Sequence, residues 1–199
     1  MTALILASQS AARRAMLEAA GVPHEAEPAR VDEDAVKASF RAQGRGARDL
    51  ADALAELKAV KMSGRVPGAF VLGCDSTVAL ADGTMLDKPE SREDAAAQLR
   101  AMRGSVVRLW SAAVLAERGV PTWRVVDGAK LHVRAFSDVW LETYLDAEWP
   151  AIAGCVGAFR LEGPGVQLFS RVEGDHFTIL GLPLLPLLDH LRVRGVLPA

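Results

Sequence analysis

The chain has 199 residues, 50% of them hydrophobic and 24% charged, which suits one globular domain and argues against a disordered, collagen-like or coiled-coil chain. Its formal net charge of −2, with both signs interleaved, offers no broad positive field for a nucleic-acid backbone, so none is expected as a partner. Two cysteines, Cys74 and Cys155, are too few for a disulfide framework and lack metal-ligand spacing, which points to buried thiols in a reducing, cytoplasmic setting.

Residues 3–7 read as a buried first strand, without the basic region or the length of a signal peptide. Ser8-Gln9-Ser10 is then a strand-to-helix loop, leading into a short helix over 11–20 closed by Gly21. Helical pattern returns over 34–42; the basic stretch 41–48 reads as a solvated connection, and a longer helix follows over 48–62. Residues 70–74 resemble another buried strand with Asp75 at its end. The Asp82-Gly83 turn signal sets 77–80 against 84–86 as a hairpin. Ser91 opens a helix with Asp94 in its first turn, where a carboxylate meets the positive end of the helix dipole. Residues 106–115 and 123–136 read as an antiparallel pair around Gly119. Ser137 caps a helix to Glu148, a Gly-rich segment covers 154–165, a strand 166–172, and a last helix 184–193 ends at Gly195. The apolar stretch 177–188 is too short for a bilayer and is broken by Pro183 and Pro186, so no membrane association is expected. This mixture implies an α/β fold, a helix-covered sheet containing antiparallel pairs, in a single domain over 1–199.

Several residues could carry chemistry. Ser8, Ser10, Arg13 and Arg14 surround a helix start, where free amides, hydroxyls and guanidiniums together suit a phosphate; an ordinary serine cap with a basic surface face is the competing reading. Asp75 after a buried run could orient a water or bind a divalent ion, or could simply form a turn. Glu33 could supply a second acid, although acidic residues favour helix starts anyway. Lys58, and Lys88 stiffened by Pro89, could neutralise phosphate charge, but a lone lysine is more often solvated. The four histidines have no zinc spacing, and there is no nucleophile elbow, Gly-Lys-Ser/Thr phosphate loop or dinucleotide fingerprint.

Taken in order, these pieces resemble the Maf family of nucleoside triphosphate pyrophosphatases, historically called septum-formation inhibitors. Leu6-Ala7-Ser8-Gln9-Ser10-x-x-Arg13-Arg14 looks like the family's opening signature, with Ala11 where proline is usual. Asp32-Glu33, Leu54-Ala55-x-x-Lys58-Ala59, Gly73-x-Asp75 and Lys88-Pro89 fit successive blocks, as do Glu162-Gly163, Glu173-Gly174-Asp175 and Gly181-Leu182-Pro183-Leu184. Each motif is modest, and the ordered set, spread over nearly the whole chain, is specific. The resemblance implies an elongated mixed β-sheet flanked by helices, with two lobes and a central nucleotide cleft. It also implies a divalent metal cofactor (Mg or Mn), a homodimer, and cleavage of the α–β phosphoanhydride to a monophosphate and pyrophosphate. By the same resemblance Asp75 is the general base or a metal ligand and Glu33 the second acid and metal ligand. Ser8, Arg13, Lys58 and Lys88 are the phosphate contacts, with Arg14 a further candidate.

Substrate choice is less legible. One branch of the family has Asp-Thr at the position of Asp75-Ser76 and an Ile-Gln-Gly block near Glu162; another has Asp-Gln and Lys-x-Glu-Gly. Phe159-Arg160-Leu161-Glu162-Gly163 is similar to the second, associated with 7-methyl-GTP, and Val107 stands where the first has histidine; Ser76 matches neither. Glu162 could accept hydrogen bonds from a guanine-like edge. The expectation is therefore a modified purine triphosphate. The alternatives are a dTTP/UTP pyrophosphatase, a nucleotide-binding regulator of division without turnover, and a phosphatase of another small phosphate ester.

Overall fold

The apolar runs of the sequence become the centre of one mixed sheet in the computed structural model, which describes residues 4–198. In chain order the elements are β1 (Leu4–Leu6), α1 (Ala11–Ala19), β2 (His24–Ala26), α2 (Glu33–Ala42), α3 (Ala47–Ser63), β3 (Phe70–Ala79) and β4 (Met85–Leu86). They continue as α4 (Arg92–Met102), β5 (Val106–Glu117), β6 (Val120–Val133), α5 (Asp138–Glu148), β7 (Phe169–Glu173), α6 (His176–Ile179) and α7 (Leu184–Val193). Two 3-10 turns, Ala151–Gly154 and Pro164–Leu168, separate α5 from β7. Strand order is β2-β1-β3-β5-β6-β7, parallel from β2 to β3 and antiparallel beyond, with β4 on the other side of β3.

Two apolar clusters divide the molecule into lobes. In one, Leu17 of α1 and Leu187 of α7 pack on Leu4, Leu6, Leu72 and Leu115. In the other, Leu99 of α4 and Leu141 and Leu145 of α5 pack on Val107, Leu109 and Leu131. Strand β5 serves both clusters; its 12 residues extend roughly 40 Å. A third cluster sets Ala51, Ala55 and Ala59 of α3 against Ala112, Val114 and Ala116 of β5, so small side chains bring helix and sheet close together. Gly73 of β3 completes that contact: a Cβ there would lie 2.1 Å from the carbonyl oxygen of Ala55.

The expected α/β class holds, and four details differ from the sequence reading. Strand β3 runs on through Asp75 and Ser76 to Ala79, because the polar residues alternate onto faces where they find partners. The β5–β6 hairpin closes on a two-residue turn, Arg118-Gly119, both with positive φ, and a bulge near Leu115 and Ala116 accommodates Pro121 within the strand. Strand β7 starts at Phe169 rather than 166, since Pro164 opens a 3-10 turn. The short strand β2 has no apolar run and gave no sequence signal. Ala3, in the expected first strand, lies outside the described residues. Among the described residues no helix is long and apolar enough to cross a membrane.

Candidate active site

The sheet has a gap. Strand β3 pairs with β1 as far as Leu72 and with β4 from Val78, so residues 73–77 have a strand neighbour only on the β5 side. A cleft of about 680 Å³ opens at this gap, beyond the carboxyl ends of the parallel strands, where open α/β sheets commonly bind ligands. Because side chains alternate along a strand, Asp75 faces α3 and Ser76 faces the opposite side, and the gap gives the cleft access to both.

On the α3 side, the Lys58 ammonium lies 2.5 Å from Asp75 Oδ1 and 2.7 Å from Glu33 Oε1. The 17-residue helix α3 aims Lys58 at Asp75 through the close contact over Gly73, and Asp32 caps the start of α2 by accepting from the amide of Ala35, which fixes Glu33 in the first turn. Burial pushes the Glu33 carboxyl up, but Lys58, and then Lys88 and Lys37, outweigh it and hold the group below the usual carboxylate value. Asp75 accepts from Lys58 through Oδ1 alone.

On the other side, Arg13 is buried and spends four of its five N–H groups on the protein. Nε donates to the carbonyl of Gly181 at 2.7 Å, Nη1 to Ser8 Oγ and to the carbonyl of Cys74, both at 3.2 Å, and Nη2 to Ser76 Oγ at 2.8 Å. One N–H is left for a ligand. Ser10 caps α1 by accepting from the amide of Arg13, and Ser8 accepts from the amide of Ser10. Gly181 has φ +107°, and a Cβ there would lie 3.2 Å from Arg13 Nε and 3.3 Å from Ser76 Oγ, so this turn admits the guanidinium only as glycine.

Ser8, Arg13, Glu33, Lys58, Asp75, Ser76, Lys88 and Glu162 all line this one cleft. Arg14 does not; it is exposed on the far face of α1, 3.9 Å from Glu18. Sequence reasoning missed Lys37 and Arg41, which reach across the cleft to Asp87, Lys37 at 2.9 Å; their four-residue spacing on α2 is the signal that could have found them. It also missed Glu148. That carboxylate is 3% exposed and grips Arg160 through Nε at 2.6 Å and Nη2 at 3.1 Å, holding a second guanidinium at the cleft wall. Seven basic and four acidic side chains line the cleft of a molecule that is negative overall. Burial pushes the Cys74 thiol up to about 11, and burial also raises Cys155, so neither is a thiolate near neutral pH.

Residues 3–194 match the profile of the family described as Maf-like protein. The chain belongs to the Maf family. Among curated relatives, a protein of Sphingopyxis alaskensis named nucleoside triphosphate pyrophosphatase is 54% identical over 195 residues, 98% of each chain. One of Caulobacter vibrioides with the same name is 51% identical over 197 residues, 99% of this chain and 98% of its own. One of Jannaschia sp., named nucleoside triphosphate pyrophosphatase 1, is 48% identical over 196 residues, 98% of each. The match spans the ordered blocks read from the sequence, of which the fold gathers Ser8, Arg13, Glu33, Lys58, Asp75, Lys88 and Glu162 along one cleft.

Proposed function

We propose that this Maf-family chain is a nucleoside triphosphate pyrophosphatase, releasing a nucleoside monophosphate and pyrophosphate. The observation that carries the reading is the Glu33–Lys58–Asp75 cluster at one wall of a cleft with a local excess of positive charge. A triphosphate needs such an excess, and hydrolysis at the α-phosphorus needs a fixed carboxylate beside the attacking water. Asp75 accepts the proton of that water as its oxygen bonds to the α-phosphorus. The bond from the α-phosphorus to the bridging oxygen breaks, and pyrophosphate leaves with the electron pair. Lys58, Lys88 and the Ser8–Arg13 loop hold the phosphates.

A divalent cation suits the donor set. Two carboxylates already converge on one cationic group, and among the described residues no group of three or more His, Cys, Asp or Glu side chains forms a ligand cluster. Two carboxylates completed by substrate phosphates are a magnesium or manganese arrangement rather than a zinc one. Asp75 and Glu33 would hold the ion, which when bound neutralises charge on the phosphates.

For the base, a 7-methylguanine is the favoured occupant. Glu148 neutralises Arg160, which leaves Glu162 as an exposed anion in the same cleft, complementary to a cationic ring and to guanine N–H groups. The test is a product-resolved screen of 7-methyl-GTP, GTP, dTTP and UTP with magnesium or manganese. Release of pyrophosphate with the highest kcat/KM on 7-methyl-GTP is expected. Preference for dTTP or UTP would overturn the base assignment, and release of orthophosphate alone, or equal turnover of a sugar phosphate, would overturn the reaction. Binding without turnover would favour a regulatory protein. In the same assay Asp75→Asn should lose about 10²–10⁴ in kcat with little change in KM.

A further inference from the structure

Two serine hydroxyls touch the Arg13 guanidinium, and counting protons gives them opposite roles. Ser8 Oγ accepts from Arg13 Nη1 and from the amide of Ser10, each at 3.2 Å. Both its lone pairs are engaged, and its own proton remains to be donated. Ser76 Oγ differs. It accepts from Arg13 Nη2 at 2.8 Å and lies 2.8 Å from Ser111 Oγ, which in turn lies 2.7 Å from the carbonyl oxygen of Thr178.

Oxygen atoms this close need a proton between them, because two facing lone pairs repel at such distances. The Thr178 carbonyl has no proton, so Ser111 must give its single proton there. The proton between the two serines therefore comes from Ser76. Arginine donates only and a carbonyl accepts only, so the chain Arg13, Ser76, Ser111, Thr178 runs in one direction. The framework holds that direction in place. Ser76, Ser111 and Asp127 are register partners across β3, β5 and β6, and the Thr178 hydroxyl donates to Asp127 at 2.8 Å while its amide donates to Asp175 at 2.8 Å. Ser111 and Thr178 are fully buried, and water does not compete for the Ser111 proton.

We infer that Ser111 is a positioning residue that sets substrate selectivity by fixing the polarity of Ser76. Ser76 lines the cleft with one free lone pair and no free proton. It cannot donate to a phosphate oxygen, which only accepts. It takes a hydrogen-bond donor on the nucleotide, either a ribose hydroxyl or a base N–H, whereas Ser8 donates to a phosphate. This rests on the cleft binding a nucleoside triphosphate.

The experiment compares kcat/KM for GTP with its 2′-deoxy, 3′-deoxy and 1-methyl forms and with ITP, in wild type, Ser76→Ala, Ser111→Ala and the double variant. Wild type should prefer GTP over one analogue by about tenfold, the analogue that lacks the donor, and which one it is distinguishes ribose from base. Ser76→Ala should abolish that preference. Ser111→Ala frees the Ser76 proton to face the cleft and should shrink the preference severalfold, and the double variant should match Ser76→Ala because Ser111 acts only through Ser76. If Ser111→Ala folds poorly, Ser111→Cys, a weak hydrogen-bonding partner of similar size, carries the same expectation. Wild type treating every analogue alike would overturn the inference. So would a Ser111 variant that slows all nucleotides equally while keeping the preference, which is what a merely structural role predicts. No turnover of any nucleoside triphosphate would sink the proposed function first, and this inference with it.

Discussion

At the scale of single residues, the cleft is built from charges that answer one another. Lys58 is shared by two carboxylates, and its removal should leave Glu33 and Asp75 as facing anions. Lys58→Met should therefore raise KM for the nucleotide at least tenfold, measured by initial rates of pyrophosphate release. Glu33 carries a pH consequence. Its carboxyl is held below the ordinary value of 4.5 in the folded chain, so the unfolded chain binds its proton first as pH falls. The stabilisation is complete above about pH 4.5 and is lost as pH drops through the lower folded value. Urea midpoints between pH 6 and pH 3 should fall less steeply for Glu33→Gln than for wild type. Residue types and order announced Ser8, Glu33, Lys58, Asp75 and Lys88, because each sits in a motif of its own. Glu148 and Ser111 left no such trace. A glutamate near a helix end and a serine in an apolar strand look ordinary until the fold sets them beside Arg160 and Ser76.

Among elements, two glycines set the spacing of the site. Gly73 lets α3 lie on β3 closely enough for Lys58 to reach Asp75, and Gly181 lets the turn after α6 close over Arg13. Gly73→Ala must push α3 away from β3, and a loss of about 1–3 kcal/mol is expected in urea unfolding, together with a lowered kcat. Gly181→Ala, strained at φ +107° and pressed against the guanidinium, should cost a similar amount and weaken nucleotide binding. The starts of α1, α4 and α5 were legible from their capping serines Ser10, Ser91 and Ser137, and the span of α7 from its apolar run closed by Gly195. The continuation of β3 through Asp75 was not. A polar pair after an apolar run reads as the end of a strand, and only the partners on either face explain why it continues.

For the whole molecule, the contrast between a net charge of −2 and a cleft lined by seven basic and four acidic groups makes an electrostatic funnel for an anionic substrate. Raising ionic strength from about 0.02 to about 0.2 M should lower kcat/KM severalfold while leaving kcat nearly constant, since screening acts on encounter. Composition alone concealed this, because the basic residues that gather at the cleft are scattered along the sequence from Arg13 to Arg160.

The two lobes are threaded by the same strands. With β5 contributing to both apolar clusters, neither lobe can swing as a rigid body without bending the hydrogen-bonded ladders of β3, β5 and β6. Closure of the clamshell kind would carry the cost of bending those ladders, and a change confined to the rim would not. At the rim Asp87 is tied to Lys37 and Arg41 of α2, two ion pairs whose parting would widen the mouth while leaving the ladders of β3, β5 and β6 paired.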